Sequence, residues 1–171
     1  MKKLLLTVCL VASIMMAANA QPRAVGGRVG WNLEASYQHN LAMEKYMIDL
    51  TAGVTYFFSH WWYSDVNCVF DWVFNISSGW NWYVGPGLGL GYGFGKYWHT
   101  EKYLREYKGT PWRVNLGFQI GVEYQFDIPL NLSFDWRPMW NVLGFGRPCP
   151  YSATNYYGDF FNLGIGVRYR F

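Results

Sequence analysis

Apolar and polar residues alternate along most of this chain with the period of a β-strand, whose successive side chains point to opposite faces. The clearest run lies at 112–126. One face carries Trp112, Val114, Leu116, Phe118, Ile120, Val122, Tyr124 and Phe126. The other carries Arg113, Asn115, Gly117, Gln119, Gly121, Glu123 and Gln125. The same rhythm predicts strands at 28–38, 46–58, 66–75, 80–94, 130–137 and 161–171. The longest exceed the usual length of a globular strand, and each has one wholly apolar face.

Composition decides which solvent that face meets. The chain carries 10 Trp, 14 Tyr, 12 Phe and 19 Gly in 171 residues. A water-soluble core of this size cannot absorb so many large rings, whereas two aromatic girdles at lipid–water interfaces can. Past residue 21 no apolar run approaches the length of a membrane helix. The pattern therefore predicts an all-β fold, an eight-stranded antiparallel up-and-down transmembrane β-barrel with its greasy face on lipid and its polar face on the interior.

Seven segments are one short of the even strand number of such barrels. Counting back from Phe171 as the periplasmic end makes 127–129, 76–79 and the stretch near 39–43 inner turns, and 96–111 and 142–158 outer loops. An upward strand is then missing at the start. The best placement splits the first segment near residues 31–33 into a short opening hairpin. The alternative hides a strand within 143–157, against which Pro148 and Pro150 argue. Two further prolines break the scheme: Gly85-Pro86-Gly87 is expected to form a bulge, and Pro138 to mark the outer rim.

The first twenty residues are set aside as a secretory signal. Lys2 and Lys3 precede an apolar stretch, and Ala18-Asn19-Ala20 forms a small-x-small cleavage site that leaves 21–171 as one barrel domain. Acylation at Cys9 is not expected, because Val8 is too large for that processing site. The formal charge of +3 falls to +1 when Lys2 and Lys3 are removed. That is no nucleic-acid signature.

Several stretches resemble a known family. GVEYQFDIPLNLSFDWRP (121–138) and LGIGVRYRF (163–171) are similar to the closing strands of the OmpA/OmpX-like small outer-membrane barrels. The Bacteroidota versions, often described as PorT-like, are the most similar. WYVGPGLGLG (82–91) and LEASYQH (33–39) look like other strands of that group. The resemblance implies eight strands and insertion by the barrel-assembly machinery. Val167, Tyr169 and Phe171 match the family's terminal insertion signal. It implies no particular reaction and no cofactor.

The inward charges are Arg28, Glu34, Asp49, Asp71, Arg113, Glu123, Asp135, Arg137, Arg168 and Arg170. An eight-stranded interior is just wide enough for side chains to fill. Mixed signs are therefore expected to pair into a packed polar network rather than line a selectivity filter. The inward glycines at 85, 87, 89, 91 and 93 are expected to relieve crowding and allow curvature rather than open a cavity. Catalysis needs a nucleophile with a base in reach. His39, His60 and His99 fall at strand ends or in loops, and Ser36 faces opposite His39. No catalytic set is expected. No His, Cys or carboxylate spacing suggests a metal. Cys68 on a lipid face and Cys149 in a loop make a poor disulfide pair.

Lys96, Trp98, Lys102, Arg105 and Lys108 gather cations and rings in one outer loop, suited to lipopolysaccharide phosphates and sugars. Glu101 and Glu106 dilute that field, so a merely solvated loop is the simpler reading. His60-Trp61-Trp62-Tyr63 reads as part of an interfacial belt. The expected protein is a monomer of the bacterial outer membrane with a side-chain-filled interior. It contacts membrane lipid and serves as a structural or surface-interaction barrel. A narrow solute pore is the alternative, and a lipid A-modifying enzyme is third.

Overall fold

The computed structural model describes residues 23–41, 44–55, 62–94, 112–145 and 160–171. Among them are nine strands: β1 (Arg23–Gly30), β2 (Asn32–Leu41), β3 (Tyr46–Thr55), β4 (Trp62–Ser77), β5 (Trp80–Phe94), β6 (Trp112–Gln125), β7 (Leu130–Trp136), β8 (Met139–Phe145) and β9 (Leu163–Arg170). All pairings are antiparallel. The order β5-β4-β3-β2-β1-β9-β7-β6-β8, with β5 also paired to β6, closes the sheet on itself. β7 and the start of β8 keep one register on β6, from Gln125↔Asn131 through Ile120↔Trp136 to Asn115↔Asn141, and it shifts by one at Val114↔Leu143. They are two parts of one stave. The barrel therefore has eight staves.

The opening hairpin turns at Trp31, with Val29 facing Leu33, as the count of segments required. Its tip is tied to β9 by the Trp31 amide, which donates to the Leu163 carbonyl at 3.3 Å. At the opposite end, Ser78 and Gly79 join β4 to β5, and Gly79 takes a φ of 80° that a side chain would resist. Asp127, Ile128 and Pro129 join β6 to β7. Several strand limits differ from expectation. β2 runs on to Leu41 and β4 to Ser77, so both turns are shorter. β8 takes residues 142–145 out of the expected outer loop. The rest of that loop, the 96–111 loop and residues 56–58 lie outside the described residues.

Both prolines depart from expectation. Pro138 does not mark a rim; it sits within a stave, buried, between β7 and β8. Its missing N–H opens one rung toward β6, where the Phe118 amide still donates to the Pro138 carbonyl at 3.3 Å. On the other side the Arg137 amide donates to the Asn162 carbonyl at 2.9 Å, holding the stave to the chain entering β9. The rings of Phe118, Trp136 and Trp140 meet around this rung, 5.4–5.8 Å apart between centroids. Gly85-Pro86-Gly87 forms no bulge. All three keep one register on β6, opposite Gln119, Phe118 and Gly117. On the β4 side pairing pauses between Val69↔Gly87 and Trp72↔Val84 and resumes without a shift. A Cβ on Gly85 would strike the Phe70 backbone carbonyl, so glycine permits a close approach beside the missing proline donor.

Burial is inverted relative to a soluble protein. Leu88, Leu90, Val66, Leu116, Ile165 and Val167 are each about half exposed on the outer face. Arg28, Asp49, Asp71, Arg137 and Arg168 have no exposed surface at all. The outer face is itself banded. Tyr46, Phe70, Trp72, Phe74, Trp82, Trp80, Tyr124 and Phe126 form contacting pairs near the turn end. Tyr92 and Trp112 do so near the loop end, and Phe118, Trp136, Trp140 and Phe160 form a further cluster beside Pro138. Between the two ends the surface is mostly Leu, Val, Ile and Ala, a profile that fits hydrocarbon flanked by two headgroup layers. Replacing Leu88 with Arg in the aliphatic band is expected to cost about 2–4 kcal/mol, read from reversible denaturant unfolding in lipid vesicles. An unchanged midpoint would place this band outside hydrocarbon.

Candidate functional site

Because the side-chain period is two, the register that closes the barrel also decides which charges meet inside it. Arg28 on β1 faces Glu34 on β2 and bonds it at 3.2 Å. Its guanidinium also reaches over β9 at Gly164 to Asp135 on β7, at 2.7–2.8 Å, and to the Asn162 side chain at 3.0 Å. Arg137, at the break between β7 and β8, points inward. It bonds Asp49 at 3.0 Å, Thr51 and Gln119 at 2.7 Å, and Glu34 at 3.4 Å. Arg168 on β9 donates to Ser36 at 2.7 Å, Ser133 at 2.6 Å and Asp49 at 3.4 Å. Three arginines and three carboxylates from β1, β2, β3, β7 and β9, with the residue between β7 and β8, thus form one cross-lumen network.

Arg113 and Asp65 make a second, bidentate pair at 2.8 Å nearer the loop end. They come from β6 and β4, with β5 between them, and they meet over Gly91. A Cβ there would collide with both side chains. Gly164 likewise leaves room for the Arg28 guanidinium. The expected relief of crowding is seen along the glycine row: a Cβ would meet Asp65 and Arg113 at Gly91, the Asn67 amide at Gly89 and the Phe70 backbone carbonyl at Gly85. The missing side chains make space that side chains from the flanking strands fill.

Glu123 is 3% exposed and accepts from the amides of Asn81, Gln125 and Asn131 at 2.9–3.4 Å, all neutral donors. Tyr83 donates to Asp135 at 3.4 Å. Asp71 is fully buried, yet neither carboxylate oxygen has a hydrogen-bond partner. Arg170 is only partly buried; it caps the turn end by donating to Gln125 at 3.0 Å and the Phe126 carbonyl at 2.6 Å. Of the ten charges expected inward, nine are buried and Arg170 lies at the mouth.

Sequence reasoning missed Asp65, because the strand was begun at Val66; continuing the alternation back from Asn67 would have found it. It also passed over the neutral partners Ser36, Thr51, Gln119 and Ser133, which share the polar faces but carry no charge to draw notice.

Ser36 donates to Asp49 and accepts from Arg168, so its hydroxyl is engaged in the lumen. His39 is on the other face of β2, stacked with Tyr37 at 6.4 Å. Val167, Tyr169 and Phe171 are exposed on the outer face. Among the described residues no His, Cys, Asp and Glu group could hold a metal ion. Cys68 is exposed. Lys96, Trp98, Lys102, Arg105, Lys108, His60, His99 and Cys149 lie outside the described residues.

A buried ion pair is weak as a net stabiliser, but deleting one partner strands the other charge. Arg137→Met leaves Asp49 and Glu34 short of a guanidinium and is expected to destabilise by about 3–5 kcal/mol. Asp71→Asn strands no cation, because neither carboxyl oxygen of Asp71 has a hydrogen-bond partner, and is expected to shift stability by less than about 1 kcal/mol. Both are read as shifts of the urea midpoint of the folded barrel in micelles, and equal shifts in one direction would contradict the assignment.

No protein-family model and no curated protein matches the chain. Two solved structures are similar in shape. One is a major outer membrane protein from Thermus thermophilus, with a TM-score of 0.53 and 16% identity over 89% of this chain and 100% of that one. The other is Neisserial surface protein A (NspA), with a TM-score of 0.47 and 14% identity over 88% and 94%. Identity at this level speaks to fold alone. By its strand closure and by the first of these likenesses, the chain is a closed eight-stranded antiparallel β-barrel of the kind found among bacterial outer membrane proteins.

Proposed function

We propose that this chain is an integral outer-membrane barrel sealed by its own side chains, acting as an envelope structural or surface-interaction protein and not as an enzyme. The observation that carries this reading is the cross-lumen network. Arg28, Arg137 and Arg168 are fully buried, and each bonds residues from at least two other strands. A continuous water path would hydrate such groups; here carboxylates, hydroxyls and amides saturate them. With no solute path and no nucleophile–base pair among the described residues, the work falls to the outer loops at 96–111 and 146–158. The cations Lys96, Lys102, Arg105 and Lys108, with Trp98, suit phosphate and sugar groups of lipopolysaccharide.

The motifs at 121–138 and 163–171 support assignment to the OmpA/OmpX-like small barrels, in their PorT-like Bacteroidota form. Lys2, Lys3, the apolar stretch after them and Ala18-Asn19-Ala20 support a cleaved signal at 1–20, and Val167, Tyr169 and Phe171 support delivery to the barrel-assembly machinery. The closed sheet, which offers neighbours few unpaired strands, supports a monomer.

Planar-bilayer recording on the purified, refolded protein tests the seal. The expected result is no stable unitary conductance. A reproducible open channel would replace this reading with that of a narrow pore.

A further inference from the structure

Three features of the lumen converge at its turn end. The first is a hollow open to that side, lined by Arg23, Gln38, Glu44, Glu123, Asn131 and Arg170. The small Ala24 makes it: on β1 it faces Gln38 of β2 on one side and Arg170 of β9 on the other, and contributes almost no volume between them. The second is a pair of complementary unmet bonds. Asn131 Nδ2 donates to Gln38 Oε1 at 3.4 Å, which leaves Gln38 Nε2, a donor, and Asn131 Oδ1, an acceptor, without partners on residues that are each 2% exposed. The third is Glu123. The cross-lumen network and the Arg113–Asp65 pair match each carboxylate to a guanidinium, whereas Glu123 is held by three neutral amides. A buried carboxylate without a cation at bonding distance needs another source of solvation.

We infer that the turn end of the barrel is a blind hydrated vestibule, ending in an ordered water held between Gln38 and Asn131 beside Glu123. The ligand is a neutral molecule presenting one donor and one acceptor. Mixed Arg and Glu lining favours neither an anion nor a cation. The hollow has room for about one water, not for an organic solute. The water accepts from Gln38 Nε2 and donates to Asn131 Oδ1, and bulk water behind it completes the hydration of Glu123. Arg168 forms the ceiling. Its guanidinium spans Ser36 and Ser133, the next inward residues along β2 and β7, and closes the path upward. This inference rests on the sealed lumen proposed above and states where the seal begins.

The test is thiol accessibility of the full mature barrel in micelles, with Cys68→Ser and Cys149→Ser as background and intact mass as readout. Methyl methanethiosulfonate is the probe. Gln38→Cys and Asn131→Cys are expected to react at least about tenfold faster than Ser133→Cys and Thr51→Cys. If Gln38→Cys and Asn131→Cys are as slow as the other two, the vestibule is overturned while the sealed lumen stands. If all four react fast, the lumen is open throughout and both readings fail. Should a substitution prevent folding, water–protein cross-relaxation on the unsubstituted barrel decides. The Gln38 side-chain amide protons are expected to show a long-lived water cross-peak, and its absence overturns the inference.

Discussion

Hydrocarbon offers the backbone no hydrogen-bond partner, so a sheet within it must pair every strand on both edges, and only closure achieves that. The pairing of β1 with β9 is the seam that provides it here, running from Ala24↔Arg170 to Gly30↔Gly164. Once the ring is closed, the outward residue of each pair faces the surroundings and the inward one faces the lumen. Leu88, Val66 and Leu116 on the outside and Asp49, Arg137 and Arg168 on the inside follow from that single geometric condition. The two prolines show how strictly it applies. Each removes one donor, and each lies in a locally tightened wall: Gly85 draws β5 against the Phe70 carbonyl, and Phe118, Trp136 and Trp140 gather around Pro138.

Closure with eight staves has a second consequence. The interior is about as wide as two opposed long side chains, so a guanidinium from one wall reaches the carboxylate of another. Arg137 and Asp49 meet across the lumen although 88 residues separate them. Four buried arginines pair with four carboxylates, Glu34, Asp49, Asp65 and Asp135. Such pairs offset little more than their desolvation. Their contribution is mutual dependence: no member can leave without exposing another, which makes a filled lumen resistant to partial opening.

The period of two made most of this fold legible from residues alone. It set the inward and outward parity of Trp112 through Phe126, and the missing upward strand pointed to a hairpin near Trp31. Strand ends were less legible, because contrast between the two faces fades at the rims, where Asn40, Asn75 and Ser77 continue a strand without an apolar alternation to mark it. Pro138 misled for a different reason. Its intrinsic aversion to a sheet interior is overridden by neighbours that keep the register on either side of it, and those neighbours are distant in sequence. For the lumen, parity identified the buried charges but could not pair them. Partner choice depends on register around the ring, and Arg113 reaches Asp65 only because Gly91, on the strand between, has no side chain.

The two carboxylates outside the paired set differ in what surrounds them. Glu123 lies beside the hollow at the turn end and is held by three amides, while Asp71 is enclosed next to Met47 on β3 and has no hydrogen-bond partner. A protein selected only for stability would replace both, since an apolar or amide side chain of similar volume avoids burying a charge. The paired network explains itself by mutual compensation; these two do not. Glu123 is accounted for if water reaches it from the turn end. Asp71 then stands as the buried carboxyl at which no hydrogen-bond donor is aimed, and the lumen is most simply described as a matched ionic plug with one wet end and one unpartnered acid.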